Sequence, residues 1–220
     1  MTRETAIAAL VPAPSRLHAV LAQLLSSFEA ELAGLVGEFH GASIGDELVA
    51  ARDGFARLAA KAREGAGVDD PVEVAAIVDA LRRPLRGRDR FERLLSVHLG
   101  AGFVEDAIAQ SVALLAETGG IEPAGQAAFD ELLGWEDAQA PLVTALRRLF
   151  EEDSTLDDRL AMWGRRIAGD AGVWARGFYG IPASKRADEV VEGAEELLEG
   201  FLQEYYAQHS RRMNALALAA

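Results

Sequence analysis

Large apolar residues recur every three or four positions along most of the chain, which is the spacing of one face of an α-helix. In the first long segment, six of them fall on a single stripe, namely Leu21, Leu25, Phe28, Leu32, Leu35 and Phe39. The same spacing returns over residues 91–118, 156–178 and 190–205. Since no convincing stretch alternates with the period of two that marks a strand, the pattern predicts an all-α protein.

Polar capping residues and glycines predict where these helices begin and end. The expected N-caps are Ser15, Asp46, Asp70, Ser154 (in a capping box with Asp157) and Ser184. The expected helix ends are Gly41–Gly45, Gly65–Gly67, Leu81 and Gly119–Gly120. Residues 123–151 are predicted to be helical with a bend or split around Gly134 and Pro141.

Long amphipathic helices joined by short connectors are typical of an antiparallel helical bundle. No repeat of solenoid period and no low-complexity linker divides the chain. A single domain over residues 1–220 is therefore expected, with residues 1–14 as a poorly ordered N-terminal extension.

The composition of the chain narrows the chemistry that it can perform. Half of its 220 residues are apolar and 26% are charged, an ordinary globular mixture. The absence of cysteine excludes disulfides, thiolate catalysis and cysteine-ligated zinc or iron–sulfur sites. The net charge of −13 makes the protein acidic and disfavours non-specific binding to polyphosphates. Without a signal-peptide pattern or a run of 18 apolar residues, a cytoplasmic protein without a membrane segment is expected.

A carboxylate-bridged diiron centre is the usual metal site of a long-helix bundle. It requires Glu-x-x-His on two helices and a further Glu on each of two others. No Glu or Asp of this chain is followed by a His three residues later. Glu38 and His40 are two residues apart, hence on different faces of their helix. The chain thus lacks the standard ligand pattern, and neither a metal nor a catalytic residue is assigned.

The best candidate for an interior polar site lies on the predicted helix 91–118. His98 falls on its apolar stripe, and Glu105 and Asp106 follow about 10 Å further along the axis, too far for His98 and Glu105 to chelate one ion alone. These residues either form a metal or substrate site or, as we favour, are polar groups satisfied by neighbouring helices. Gly100 and Gly102, on the same helix, are expected where another helix approaches closely.

One basic cluster interrupts the acidic chain. The segment 82–93 has six arginines and two acids, a net charge of +4, which leaves −17 for the remainder. The arginines are Arg82, Arg83, Arg86, Arg88, Arg90 and Arg93. Guanidinium groups pair well with phosphates and carboxylates, so an anion- or RNA-binding site is one interpretation. Neutralisation by the protein's own acidic helices is the interpretation that we favour.

Three helical segments carry a resemblance to a known family. They are Arg159–Ile167 (RLAMWGRRI), His209–Leu216 (HSRRMNAL) and Gly100–Asp106 (GAGFVED). With them the chain resembles, over residues 90–216, actinobacterial ferritin-like fold proteins related to the diiron tRNA hydroxylases that act on a modified adenosine. The resemblance implies a ferritin-like bundle with extra short helices.

The chain departs from that family where the resemblance implies metal ligands. Arg52–Phe55 stands in place of Glu-x-x-His, Leu24 in place of a Glu of the first helix, and Ala101 in place of an acid of the third core helix; Asp106 matches. Arginine repels a cation, and leucine or phenylalanine offers it no lone pair. The resemblance therefore implies a bundle that has lost its metal centre.

These observations together predict a non-catalytic ferritin-like bundle without a cofactor, acting through contact with a protein partner or with itself as a homodimer. Two alternatives stay open. One is a metal-dependent oxygenase of the diiron tRNA hydroxylase type with atypical ligands. The other is an RNA- or ribosome-associated module that docks through Arg82–Arg93.

Overall fold

The computed structural model describes residues 10–67, 71–179 and 194–220, and these contain eight α-helices and no strand. The predicted all-α class is confirmed. The helices are α1 (Pro14–Glu38), α2 (Gly45–Glu64), α3 (Pro71–Arg82), α4 (Arg90–Glu117), α5 (Pro123–Asp130), α6 (Glu136–Glu152), α7 (Leu156–Phe178) and α8 (Ala194–Ala215). The predicted caps Asp70 and Ser184, and residues 1–9 of the predicted N-terminal extension, lie outside the described ranges.

Helix α4 lies at the centre of this helical bundle. It contacts α1, α5, α6, α7 and α8, whereas α2 packs between α1 and α6, and α3 packs between α1 and α7. Buried residues occur on every side of α4 between Glu92 and Leu115, as expected for a helix enclosed by others. The buried apolar side chains of all eight helices form one contiguous core.

Three predicted N-caps, Ser15, Asp46 and Ser154, are wrong by one or two residues. Helix α1 begins at Pro14, because the fixed φ of proline suits a first helical residue that needs no N–H. Helices α2 and α7 begin without a capping side-chain hydrogen bond. The cap that the sequence analysis missed is Asp89, whose Oδ1 accepts two N–H groups from the first turn of α4 at 2.9 and 3.0 Å.

Glycines end helices where the sequence predicts. Gly119 has a φ of +70°, and the Gly120 N–H donates to the Leu115 carbonyl at 2.7 Å, as in a Schellman cap. Gly134, with a φ of +84°, lies in the turn between α5 and α6. The predicted split therefore occurs at Gly134, while Pro141 lies inside α6 and does not end it.

Helices α1 and α4 are long and apolar enough to span a membrane by length and composition alone. The expectation of no such helix rested on the stricter criterion of an unbroken apolar run. Within the bundle, the apolar window of α4 is 61% buried and that of α1 is 44% buried. Core helices of a globular bundle have this same character.

Candidate functional site

Polar residues of α4 and α8 meet inside the bundle. His98 and Asp106 come from α4, and Tyr205, His209 and Arg212 come from α8; we call these five residues the α4–α8 cluster. The sequence analysis named the two residues of α4 and missed those of α8. The spacing of Tyr205, His209 and Arg212, four and then three residues, continues the apolar stripe of the last helix and could have found them.

An ion pair between Asp106 and Arg212 joins the two helices. Nη1 and Nη2 of Arg212 each donate to one carboxylate oxygen of Asp106, both at 2.7 Å. The side chains are 14% and 19% exposed for Asp106 and Arg212. This bidentate geometry uses both carboxylate oxygens and is the strongest form of the pair.

Gly102 makes room for that arginine. A Cβ built at Gly102 would lie 2.6 Å from Cζ of Arg212, closer than real contacts allow. The expected close approach of another helix is therefore confirmed at Gly102, where the neighbour is an arginine side chain of α8. At Gly100 the neighbour is instead the side chain of Leu85.

Glu105 points to a different partner from its neighbour Asp106. Its Oε1 accepts the N–H groups of Gly134 and Trp135, both at 2.9 Å. Burial raises the pKa of Glu105, and these two hydrogen bonds offset part of the rise. Glu105 thus fixes the turn before α6, a structural role.

His98 is held by α6. Its Nδ1 lies 2.7 Å from Oε1 of Gln139, whose Nε2 donates to the His98 carbonyl at 3.2 Å. Burial lowers the pKa of His98 to about 4, so the ring is neutral at pH 7 and Nδ1 must carry the proton that it donates to the amide oxygen. Its Nε2 is then an acceptor, and it has no hydrogen-bond partner among the described residues.

The α8 side of the cluster has further unpartnered atoms. Nε2 of His209 and the hydroxyl of Tyr205 are buried without a hydrogen-bond partner among the described residues. Burial lowers the pKa of His209 to about 4. The cluster therefore combines two neutral imidazoles, a phenol and one internally compensated ion pair.

These residues do not fit a diiron centre. The carboxylate of Asp106 is fully engaged by a cation, and the described residues contain no group of three His, Asp or Glu side chains able to hold a metal ion. The other positions where the resemblance implies ligands fit no better. Leu24, Phe55 and Ala101 are fully buried in the apolar core, and Arg52 pairs with the adjacent Asp53 at 2.7 Å.

Two of the six clustered arginines bind to α1. Arg93 forms ion pairs with Glu31 and Glu38. Arg90 donates to the Glu38 carbonyl at 2.9 Å, and its guanidinium lies over the ring of Phe39, 4.5 Å from the centroid. The interpretation that the protein's own acids neutralise the cluster therefore describes Arg93, whereas a backbone carbonyl and an aromatic ring hold Arg90.

The other four arginines keep free donors. The side chains of Arg83, Arg86 and Arg88 are exposed and make no hydrogen bond or ion pair within the described part of the chain. The guanidinium of Arg82 comes no closer to an acid than 3.8 Å, from Asp79. Arg82, Arg86 and Arg93 line one cavity of about 370 Å³, and Arg83, Arg88 and Arg90 do not.

Comparison of the chain with protein-family models and with curated proteins finds no match. The function is therefore inferred from the chemistry of the chain's own residues.

Proposed function

We propose that this protein is a non-catalytic ferritin-like helical bundle that acts through contact with a second copy of itself. The observation that carries the proposal is the bidentate pair of Asp106 with Arg212. Asp106 is the one acid that matches the family pattern, and an arginine occupies both of its oxygens. Because the interior acid is paired in this way, we assign the function to the outer surface of the bundle.

The short connectors support the antiparallel, ferritin-like part of the proposal. Residues 39–44 join α1 to α2, and residues 118–122 join α4 to α5; the two helices of each pair contact each other. Connections of this length favour antiparallel packing of consecutive helices.

The outer face of α7 offers a surface for self-association. Met162 and Val173 are 68% and 71% exposed, and they lie eleven residues apart, hence on one face of the helix. Gly169, between them, has open space where a side chain would be. An antiparallel two-fold contact centred between Met162 and Val173 would set each against the other residue of the second copy, which is the self-complementarity that a symmetric dimer requires.

Light scattering on the purified protein tests this contact. We expect a dimer at concentrations of tens of micromolar, and a monomer for Met162→Asp combined with Val173→Asp, because the two-fold contact would bury each new carboxylate against the other carboxylate of the second copy. Val72→Asp is the matched control, since Val72 is 76% exposed on α3 and should leave the dimer intact. A monomeric natural protein would contradict the proposal.

Metal analysis tests the non-catalytic part separately. Protein expressed with iron, manganese or zinc in the medium is expected to contain well under one equivalent of metal after dialysis, because the donor set is apolar or engaged by arginine. Two equivalents of iron with an oxo-bridge absorption band would instead support the tRNA hydroxylase alternative.

A further inference from the structure

We propose that the cavity lined by Arg82, Arg86 and Arg93 binds a small organic phosphate, with the phosphate group at the arginines and an apolar body deeper in the cavity. We call this cavity the arginine cleft. It lies between α1, the connector from α3 to α4, and the first turns of α4. The site is separate from the α7 surface, so this proposal does not depend on whether the protein forms the dimer.

The charge of the arginine cleft is the first argument. A second cavity, of about 560 Å³, adjoins it, because both are lined by Ser27 and Arg82. Four arginines and one glutamate are the charged residues that line the two cavities together. On a protein with a net charge of −13, this local excess of positive charge would concentrate a small anion there.

The free donors of the cleft are the second argument. The side chain of Arg86 has no partner within the described residues, and Arg82 lies beyond hydrogen-bond distance of Asp79. Arg93 is held in place through Nε and Nη1 by Glu31 and Glu38. The guanidinium of Arg93 is positioned, that of Arg86 is unpaired among the described residues, and that of Arg82 has only an ion pair of 3.8 Å with Asp79. The three groups can together surround the oxygens of a phosphate.

The walls of the cleft are the third argument. Phe28, Leu85 and Val97 supply buried apolar surface. Ser96 is 2% exposed, and its Oγ accepts a hydrogen bond from Nε1 of Trp163 at 2.9 Å, which leaves the hydroxyl proton of Ser96 for another acceptor. A volume of about 370 Å³ lies within the range of small-ligand pockets.

These features favour a small phosphate ester over RNA. The exposed arginines that an RNA backbone would reach first, Arg83 and Arg88, lie outside the cleft. The acidic surface of the whole chain would repel an extended polyanion, whereas one small dianion meets only the local charge.

Calorimetric titration with phenyl phosphate, inorganic phosphate and a short single-stranded RNA tests the proposal. We expect phenyl phosphate to bind with a Kd of about 1 mM or below and several-fold more tightly than inorganic phosphate, because its ring occupies the apolar part of the cleft. The variant R82Q/R86Q should weaken phenyl phosphate binding by about tenfold or more. The matched control R83Q/R88Q removes the same charge outside the cleft and should leave the affinity within about twofold.

Several results would overturn the proposal. No saturation by about 10 mM phenyl phosphate, or equal weakening by the two double variants, would show that no defined site exists. Equal affinity for phenyl and inorganic phosphate would remove the role of the apolar walls. RNA binding that R83Q/R88Q abolishes would support the RNA-associated module in its place. Arg86→Gln alone changes an exposed, unpaired side chain, so it keeps the test valid if R82Q/R86Q fails to fold.

Discussion

At the scale of single residues, the packing of the interior of this bundle depends on which buried polar atoms are hydrogen-bonded. Burial raises the pKa of Asp106, and the hydrogen bonds from Arg212 offset part of that rise. Moving two charges out of water costs free energy. The attraction between them offsets this cost only when the geometry of the pair is good. The pair therefore specifies how α8 sits on α4 more than it adds stability, and breaking one side of it should be costly.

Arg212→Met is expected to destabilise the protein by about 3–5 kcal/mol, because it leaves the Asp106 carboxylate buried and unpaired. Urea unfolding monitored by circular dichroism measures the change. Arg211→Met is the control: that side chain is 66% exposed and lies 3.7 Å from Glu204, so a change within about 0.5 kcal/mol is expected. The double variant D106L/R212M should recover most of the loss, and a double variant as unstable as the single one would contradict this account.

The buried histidines predict a loss of stability in acid. The pKa values of His98 and His209 are lowered to about 4 in the folded protein, against about 6.5 in the unfolded chain. Between these values only the unfolded state binds the proton, so stability falls as the pH falls from about 6.5 to about 4. The raised pKa values of Glu105 and Asp106 act in the opposite sense.

A comparison with His98→Asn isolates one of these protons. The stability of the variant should fall less steeply with pH, by up to about 1.4 kcal/mol per pH unit, because the asparagine side chain takes up no proton in either state. Urea unfolding of both proteins at several pH values between about 4.5 and about 7 measures the two slopes. Identical slopes would mean that His98 has the same pKa in the folded and the unfolded protein, which would contradict this account.

At the scale of the helices, close packing against α4 depends on positions without a side chain. Gly102 lies under Arg212, and Gly164 of α7 lies under Met213 of α8, where an added Cβ would come 2.6 Å from the sulfur. Glycine costs helix stability by itself, so its presence here reflects space for a neighbour. The two glycines let α8 approach both α4 and α7.

Gly102→Ala should therefore destabilise the protein although alanine is the better helix former. The new methyl group would displace Arg212 and weaken its pairing with Asp106. Gly200→Ala is the matched control, because Gly200 also lies inside a helix but has open space, and a gain of about 0.5–1 kcal/mol is expected there. Thermal unfolding of both variants measures the opposite signs, and a stabilised Gly102→Ala would contradict the packing argument.

At the scale of the whole molecule, α4 joins two sets of helices into one core. Trp135 lies on one side of α4, where its ring packs edge-on against Phe55 of α2. Trp163 and Trp174 lie on the other side, where their indole N–H groups donate to Ser96 Oγ and to the Ile77 carbonyl, respectively. Because α4 contacts α1 and α6 as well as α7 and α8, the two sides share one core.

The two sides are expected to unfold together, as a single domain would. Trp135→Phe leaves fluorescence only from the α7 side, and the combined Trp163→Phe and Trp174→Phe leaves it only from Trp135. Within each variant, the urea midpoint by fluorescence should equal the midpoint by far-ultraviolet circular dichroism. Different midpoints would divide the chain into two domains and contradict the single-domain prediction.

The sequence was sufficient for the features that depend on short-range pattern. The stripe from Leu21 to Phe39 predicts the buried face of α1, since a period of 3.6 decides which side chains share a face. The glycine cap at Gly119 and the split at Gly134 follow from the left-handed backbone that glycine adopts readily. On the helix 91–118, the polar exceptions His98, Glu105 and Asp106 were visible as well.

Only the tertiary structure decided the partners of those polar residues. Asp106 pairs with Arg212, 106 residues away, and not with Arg165 or Arg166, which are nearer in sequence and equally able to pair by charge. His98 meets Gln139, and the six clustered arginines divide between the acids of α1, the cleft and solvent. The physical reason is range: helical period and capping act within a few residues, whereas a buried polar atom is satisfied by whichever side chain the packing of helices brings within about 3 Å.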